Sequence, residues 1–431
     1  MAFSSLAEWL QWIEQQHPTE IELGLERVAA VADRMQLAVD VPVVTVAGTN
    51  GKGSCVALAA AILKAAGYRC GVYTSPHLLR YNERVAVDGQ CANDQQLCHA
   101  FGRVQLAQGD TSLTYFEFGT LAALQIFKDA AVDVVVLEVG LGGRLDAVNI
   151  IEPTVALVTS VDLDHQAWLG ETREAIGWEK AGVFRANRGA IMGDPLPVAS
   201  VEHYANQLGA ILRRRGREFD YQVSDETWNW RGIDPQGTPL QLDGLPVPSI
   251  LLDNAATVLQ ALPFLPFNIS VEAIAEGLRT VQLTGRGELV EFRGRRVRLN
   301  VAHNPAALRA MLNALPVLNA GGCRRAVFSV LADKTVAEMV ELCRAAIDRW
   351  YVAELANSPR ALPLSDVAGA LDRAGVAYDA FDDGMAAAFK AALSASTDED
   401  EVLVFGSFFT VAAILEFIAG EQQTITLRGQ Q

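Results

Sequence analysis

No uninterrupted apolar run in the chain approaches the ~18 residues needed to span a bilayer. Residues 1–17 also lack the basic start and apolar stretch of a secretory leader. Neither a membrane span nor export is expected. The six cysteines include no Cys-x-x-Cys pair, which removes the common spacings of zinc and redox sites. Most lie in apolar stretches, where cysteine behaves as a small hydrophobe, so a reducing, cytoplasmic setting is expected. Basic residues are scarce: 35 Lys and Arg stand against 51 Asp and Glu, a net charge of -16. Nucleic acid, which needs a surplus of cations facing phosphate, and anionic membrane surfaces are excluded as partners on that ground. Low-complexity tracts are absent too, and 50% hydrophobic with 20% charged residues is the composition of a folded protein.

What the chain has is alternation. Its 431 residues exceed the size at which a single core stops growing, so two domains are expected, 1–284 and 285–431. Residues 41–47 read as a buried strand ending in a glycine loop, and 54–66 as a helix stopped by Gly67. Apolar strands follow at 70–74, 133–139 and 154–161, with a helix at 120–130. Short β-branched strands alternating with helices indicate a parallel sheet wrapped by helices. Residues 211–248 change to short polar and aromatic pieces rich in turns, the pattern of an antiparallel insertion. Helical spacing returns at 254–262 and 271–278, and 282–288 reads as a linker between domains. Beyond it, strand candidates at 297–302, 326–331, 350–353 and 401–405 make a second, smaller α/β domain.

The strand and helix around Gly48-Thr49-Asn50-Gly51-Lys52-Gly53-Ser54 supply what a polyphosphate needs. Glycines let backbone N–H groups converge, a lysine adds charge, and a helix N-terminus favours anions. The spelling departs from the usual G-x-x-x-x-G-K-[ST]. Val46 occupies the first glycine position, and Gly53 separates Lys52 from Ser54.

Further motifs stand in order along the chain. They are Leu23-Gly-Leu-Glu-Arg-Val28, Thr74-Ser-Pro-His-Leu78, Thr114-Tyr-Phe-Glu-Phe-Gly119 and Leu137-Glu-Val-Gly-Leu-Gly-Gly-Arg-Leu-Asp146, then Asp164-His165 and Glu179-Lys-Ala-Gly182. Val301-Ala-His-Asn-Pro305 and Gly406-Ser-Phe-Phe-Thr-Val411 complete the series. With the glycine loop, they resemble the folylpolyglutamate synthase and dihydrofolate synthase family, relatives of the Mur ligases, over nearly the whole chain.

That resemblance implies an N-terminal, mostly parallel-sheet domain carrying the phosphate loop and a smaller, Rossmann-like C-terminal domain. It implies ATP-dependent joining of L-glutamate to dihydropteroate and to reduced folates through an acyl phosphate, by a monomer. Gly51, Lys52, Gly53, Ser54, Asn254, Arg286 and Asn300 would contact the nucleotide. Ser75 and Glu138 would hold one Mg²⁺ and His165 a second, with Lys180 carbamylated. Thr114, Tyr115, Phe116, Glu117, Leu145, Asp146 and Ala147 would line a pterin pocket that Leu23, Glu26, Arg27, Val28 and Ala29 close. His303 and Ser407 would stand near the incoming glutamate, and Lys52, Lys180 and His303 would be the catalytic set.

Read by themselves, these residues have plainer roles. Glu138 after an apolar run would be a buried carboxylate with an arginine partner, Lys180 an exposed helical lysine, His165 a loop histidine and Asn254 a helix cap. Tyr115, Phe116 and Phe118 would be core aromatics. Two departures bear on activity: Asn300 stands where the family usually has Asp, and Thr335 replaces the last Asp of an Ala-Asp-Lys-Asp-like stretch. Asn keeps an acceptor oxygen but no charge. Two rivals follow, another amino-acid ligase on the same scaffold and a nucleotide-binding homologue without ligase activity.

Overall fold

Val43-Val-Thr-Val-Ala47 is buried at every position and forms the strand on which the first unit is built. The computed structural model describes residues 3–319, 321–355, 358 and 360–428, with side chains in the last helix as far as 421. Its contacts separate into two units, Met1–Gln282 and Leu283–Gln431.

The first unit contains strands β1 (Val43–Ala47), β2 (Cys70–Tyr73), β3 (Val85–Val87), β4 (Gln90–Cys91), β5 (Val134–Glu138), β6 (Val155–Val158), β7 (Gly189–Met192) and β8 (Ile211–Arg214). They lie in the order β4-β3-β2-β5-β1-β6-β7-β8. From β2 to β8 neighbouring strands are parallel, and β3 and β4 add an antiparallel edge. The strands are apolar without alternation because both faces are covered. Val43, Val135, Leu137 and Val158 enter one core, while Val44, Val46, Val134, Val136 and Leu157 enter the other. Fully burying each such side chain stabilises by roughly 1.5–3 kcal/mol.

The turn-rich region divides differently from the expected insertion. Ile211–Arg214 is the edge strand β8, parallel to β7, and its Ile-Leu-Arg-Arg sequence is half-polar because an edge is only partly covered. The antiparallel part is a three-stranded sheet of β9 (Asp220–Ser224), β10 (Thr227–Ile233) and β11 (Pro239–Pro246). Trp228 and Trp230 are buried from this sheet, and the indole N–H of Trp230 donates to Ala256 O at 3.2 Å in the helix Leu252–Ala261.

The second unit holds β12 (Arg286–Phe292), β13 (Arg295–Asn300), β14 (Arg324–Phe328), β15 (Arg349–Ala353), β16 (Tyr378–Phe381) and β17 (Glu401–Phe405), ordered β12-β13-β17-β14-β15-β16. All pairs are parallel except the hairpin β12–β13. Residues 286–288, read as linker, are therefore the start of a strand. Gly285 and Gly287 obscured the pattern, and Arg293-Gly294, with φ of 52° and 71°, makes the tight turn that closes the hairpin. The expected α/β class holds for both units.

Candidate active site

Loops leaving the carboxyl ends of four adjacent parallel strands, β2, β5, β1 and β6, bring together Ser75, Glu138, Leu145 to Ala147, His165 and the phosphate loop, at the edge where open α/β sheets bind ligands. After β1 the phosphate loop turns at Gly51, whose φ of 87° suits glycine, and the helix begins at Lys52. A Cβ on Gly51 would lie 2.3 Å from Asn254 Oδ1, and one on Gly48 would lie 1.8 Å from Thr159 Oγ1. Both glycines are required by close approach as well as conformation. The unusual spelling follows: Val46 is inside the strand, and Gly53 and Ser54 are buried in the first helical turn. Asn254 also lies in a first turn, but Leu251 is the cap of that helix, so the plain capping role is replaced by contact with Gly51.

The segment after β6 clamps the loop. Asn50 N donates to Ser160 Oγ at 3.0 Å, and Thr159 Oγ1 donates to Asn50 O at 2.6 Å. Lys52 Nζ donates to Gly48 O at 3.0 Å and Thr49 O at 3.4 Å, so the ammonium group sits over the loop it would share with phosphate.

Glu138, 4% exposed at the end of β5, accepts the Ser75 amide at 3.3 Å. Ser75 and His165 both line a cavity of about 250 Å³. Among the described residues, no group of three or more His, Cys, Asp or Glu is arranged to hold a metal. The donor set nonetheless fits Mg²⁺, a hard cation that keeps waters and completes its shell with phosphate oxygens. Glu138 and Ser75 provide oxygens and His165 a nitrogen at the same sheet edge.

The cavity is also lined by Thr114, Tyr115, Phe116, Glu117, Leu145, Asp146 and Ala147. Thr114 and Glu117 form a capping box, with Thr114 N donating to Glu117 Oε2 at 2.8 Å and Glu117 N to Thr114 Oγ1 at 3.2 Å. Their helix therefore runs Tyr115–Asp129, five residues ahead of the expected start at 120. The Thr-x-x-Glu spacing was the available signal. Phe116 lies on Gly140, where a Cβ would be 2.7 Å from its ring. Phe118 is fully buried. Asp146 accepts the amides of Leu141 at 2.8 Å and Val148 at 3.1 Å. Burial pushes its carboxyl up to about 7, against those amides and the charge of Lys52.

Lys180 is buried in the helix Arg173–Ala181 rather than exposed. Desolvation, with the Lys52 charge, pushes its amine down to about 7 against the opposing pull of Asp164 and Asp146. Glu26, Arg27, Val28 and Ala29 do not line the cavity. Val28 is fully buried in the core, so its side chain closes no pocket, and the Arg27 guanidinium is paired with Glu22 and Glu117. Leu23 of the expected closing set does line it, within the neighbouring strap Glu20 to Gly24.

Two family models match, the Mur ligase middle domain over residues 46–192 and the Mur ligase, glutamate ligase domain over residues 285–408. The dihydrofolate synthase/folylpolyglutamate synthase of Escherichia coli K12 is 44% identical over 418 residues, covering 97% of this chain and 96% of that protein. This chain belongs to the dihydrofolate synthase/folylpolyglutamate synthase family of Mur-type ligases. Among solved members, E. coli FolC in complex with DHPP and ADP matches with a TM-score of 0.91 at 44% identity, covering 98% of this chain and 99% of that one. A bifunctional folylpolyglutamate synthase/dihydrofolate synthase with Mn, AMPPNP and L-glutamate bound gives 0.90 at 44%, covering 97% and 99%.

Within the glutamate ligase domain, the expected residues form a local group. Arg286 is on β12 rather than a linker, and its guanidinium stands 5.3 Å from the centre of the Phe408 ring. His303 is 6.0 Å from that ring, and its Nδ1 meets Val301 O at 2.9 Å. A carbonyl only accepts, so Nδ1 carries hydrogen and Nε2 faces outward from that bond. Ser407 Oγ accepts the Thr410 amide at 3.0 Å and shares a hydrogen with Thr410 Oγ1 at 2.7 Å. Thr335 caps the helix Val336–Cys343 by position only, without a side-chain bond.

Arg84 was not singled out from the sequence of this family member. It lines the cavity, stacks 5.3 Å from the Tyr115 ring, and donates from Nε to His77 Nδ1 at 2.8 Å. Burial, together with the Arg84 charge, pushes His77 down to about 4. A single arginine in Asn-Glu-Arg84 has no spacing signal, and only its place after Thr74-Ser-Pro-His-Leu78 pointed toward the site.

Proposed function

We propose that this protein uses ATP to join L-glutamate to dihydropteroate, forming dihydrofolate, and to reduced folates, forming folylpolyglutamates. One observation carries the reading: a phosphate loop bearing Lys52 and a cavity lined by Phe116 and Asp146 occupy the carboxyl edge of one sheet. ADP with DHPP, and AMPPNP with L-glutamate, in the relatives' structures support it.

The heteroaromatic ring stacks on Phe116, and Asp146 offers hydrogen bonds to its polar edge. The substrate carboxylate attacks the γ-phosphorus of ATP, the bond to the β-γ bridging oxygen breaks, and ADP leaves. Lys52 and the loop amides draw off charge as it moves to the bridging oxygen. Ser75 and Glu138 would hold one Mg²⁺ and His165 a second, and the metal when bound would neutralise phosphate charge. The neutral amine of glutamate then adds to the acyl phosphate carbonyl, and collapse of the tetrahedral intermediate expels phosphate and forms the amide. His303 and Ser407 orient glutamate, while Asn254, Arg286 and Asn300 contact the nucleotide.

Lys180 serves as a carbamate in this reading. Its neutral amine adds to CO₂ with loss of a proton, and a buried amine pushed down to about 7 is available for that addition near neutral pH. The product is an anion that a nearby cation stabilises. No helix among the described residues is long and apolar enough to cross a membrane, and action in the cytoplasm as a monomer belongs to the same proposal.

Product masses after incubation with ATP, glutamate and either dihydropteroate or a reduced folate test the function. A mass gain of one glutamyl residue with stoichiometric ADP is expected. Absence of ADP release with both acids overturns the reading.

A further inference from the structure

Five consecutive residues, Glu20 to Gly24, line the 250 Å³ cavity, yet none of residues 14–27 is buried. A wall with no fully buried residue depends on polar contacts for its position, and here those contacts form a chain. The His17 ring meets Ser112 Oγ at 3.1 Å through Nδ1 and Glu22 Oε2 at 2.8 Å through Nε2. A carboxylate only accepts, so Nε2 donates to Glu22. Glu22 is ion-paired through Oε1 with Arg27, which also donates to Glu22 O at 3.0 Å and to Glu117 Oε1 at 2.9 Å. Glu117 is anchored in turn by the Thr114 amide. At the far end, Gly24 N donates to Leu145 O at 3.3 Å.

We propose that His17, Glu22 and Arg27 are positioning residues that latch residues 18–25 where this strap lines the pterin cavity. This inference rests on the function proposed above. Ile21 and Leu23 line the cavity from the strap, so an unlatched strap must be ordered by the substrate that it covers. The resulting loss falls on the pterin substrate. The phosphate loop is clamped by the segment after β6 and does not share the latch. The geometry also gives Arg27 a role through Glu22 and Glu117 in place of direct substrate contact.

Arg27 is unsuited to the first test, because its removal strands the buried Glu117 carboxylate. His17→Ala, Glu22→Gln and the double variant serve instead, compared by KM for dihydropteroate, KM for ATP, melting temperature and amide hydrogen exchange over residues 18–25. Each single variant is expected to raise KM for dihydropteroate about 10-fold, the loss typical of a charge-assisted hydrogen bond. KM for ATP stays within about twofold, and the double variant is no worse than either single one because the residues act as a unit. His17→Gln, which keeps a donor toward Glu22, recovers most of the loss. Exchange in the strap quickens in both single variants, and dihydropteroate slows it in the wild type. Unchanged KM for dihydropteroate, equal rises in both KM values, or strap exchange indifferent to the variants overturns the latch. If the wild type ligates no glutamate, the proposed function fails by itself, and dihydropteroate-dependent protection of the strap still decides the latch.

Discussion

Asn300 Oδ1 accepts the amide N–H of Ala302 at 3.0 Å, across the bend that leads from β13 to His303. An aspartate oxygen makes the same bond, so the departure from the family residue leaves the bend intact and removes only charge. Ribose hydroxyls donate more strongly to a carboxylate than to an amide, by about 1 kcal/mol. Asn300→Asp is therefore expected to lower KM for ATP about fivefold with an unchanged melting temperature, measured by ADP release. A raised KM for ATP rules out the assigned nucleotide contact.

Gly51 and Asn254 set a second expectation. A side chain at Gly51 meets both a φ of 87° and Asn254 Oδ1 at 2.3 Å. Left-handed backbone alone costs about 1–2 kcal/mol for an L-residue, and the overlap displaces the loop. Gly51→Ala should lower the melting temperature and weaken ATP by more than about 10-fold in a nucleotide titration. Wild-type affinity in this variant contradicts the phosphate-cradle role.

Neighbouring aromatics should respond differently. Phe116 lines the cavity, whereas Phe118 is fully buried with its ring centre 5.6 Å from that of Phe101. Phe116→Ala is expected to raise KM for dihydropteroate by about 10-fold or more, with a smaller loss of stability than truncating Phe118 because its ring is only partly buried. Phe118→Ala should cost about 3–5 kcal/mol of stability, read by urea unfolding. The stacking role fails if Phe116→Ala leaves KM for dihydropteroate unchanged.

Burial pushes the Asp146 carboxyl from its ordinary 3.8 up to about 7. A folded-state value above the unfolded one means that its stabilising effect is complete below about pH 4 and is lost as pH rises through about 7. Asp146→Asn stays neutral, so it should be more stable than the wild type at pH 8, with the gap closing toward pH 4. Parallel stability profiles over that range exclude a carboxyl protonated by burial.

Lys180 has the opposite shift, down to about 7, so its neutral amine predominates above that pH. ¹³C-bicarbonate should give a carbamate carbon signal in the wild type at pH 8 and none in Lys180→Arg. Lys180→Ala is expected to lose more than about 100-fold in kcat, if the anion orients charge at the phosphates. A wild-type spectrum without that signal, under CO₂ saturation, removes the carbamate.

Local patterns carried much of the fold. The apolar runs at β1, β5 and β17 read directly as buried strands because both of their faces are covered. Strand β12, and with it the hairpin to β13, and edge strand β8 were missed because partly covered strands carry arginines and glycines that look like loop. The start of the helix Tyr115–Asp129 was missed although Thr114 and Glu117 spell its cap.

The sequence by itself determined the class of chemistry, since the glycine loop, the order of motifs and the acidic composition are properties of a linear string. Tertiary structure alone decided which side chains stand where that chemistry needs them. It brought Arg84 to the pocket, engaged Arg27 with Glu22 and Glu117, and buried Lys180 and Asp146. Desolvation and pairing are set by segments far apart in the chain, such as residues 27 and 117, and no local spacing records which distant segment removes water from a charge.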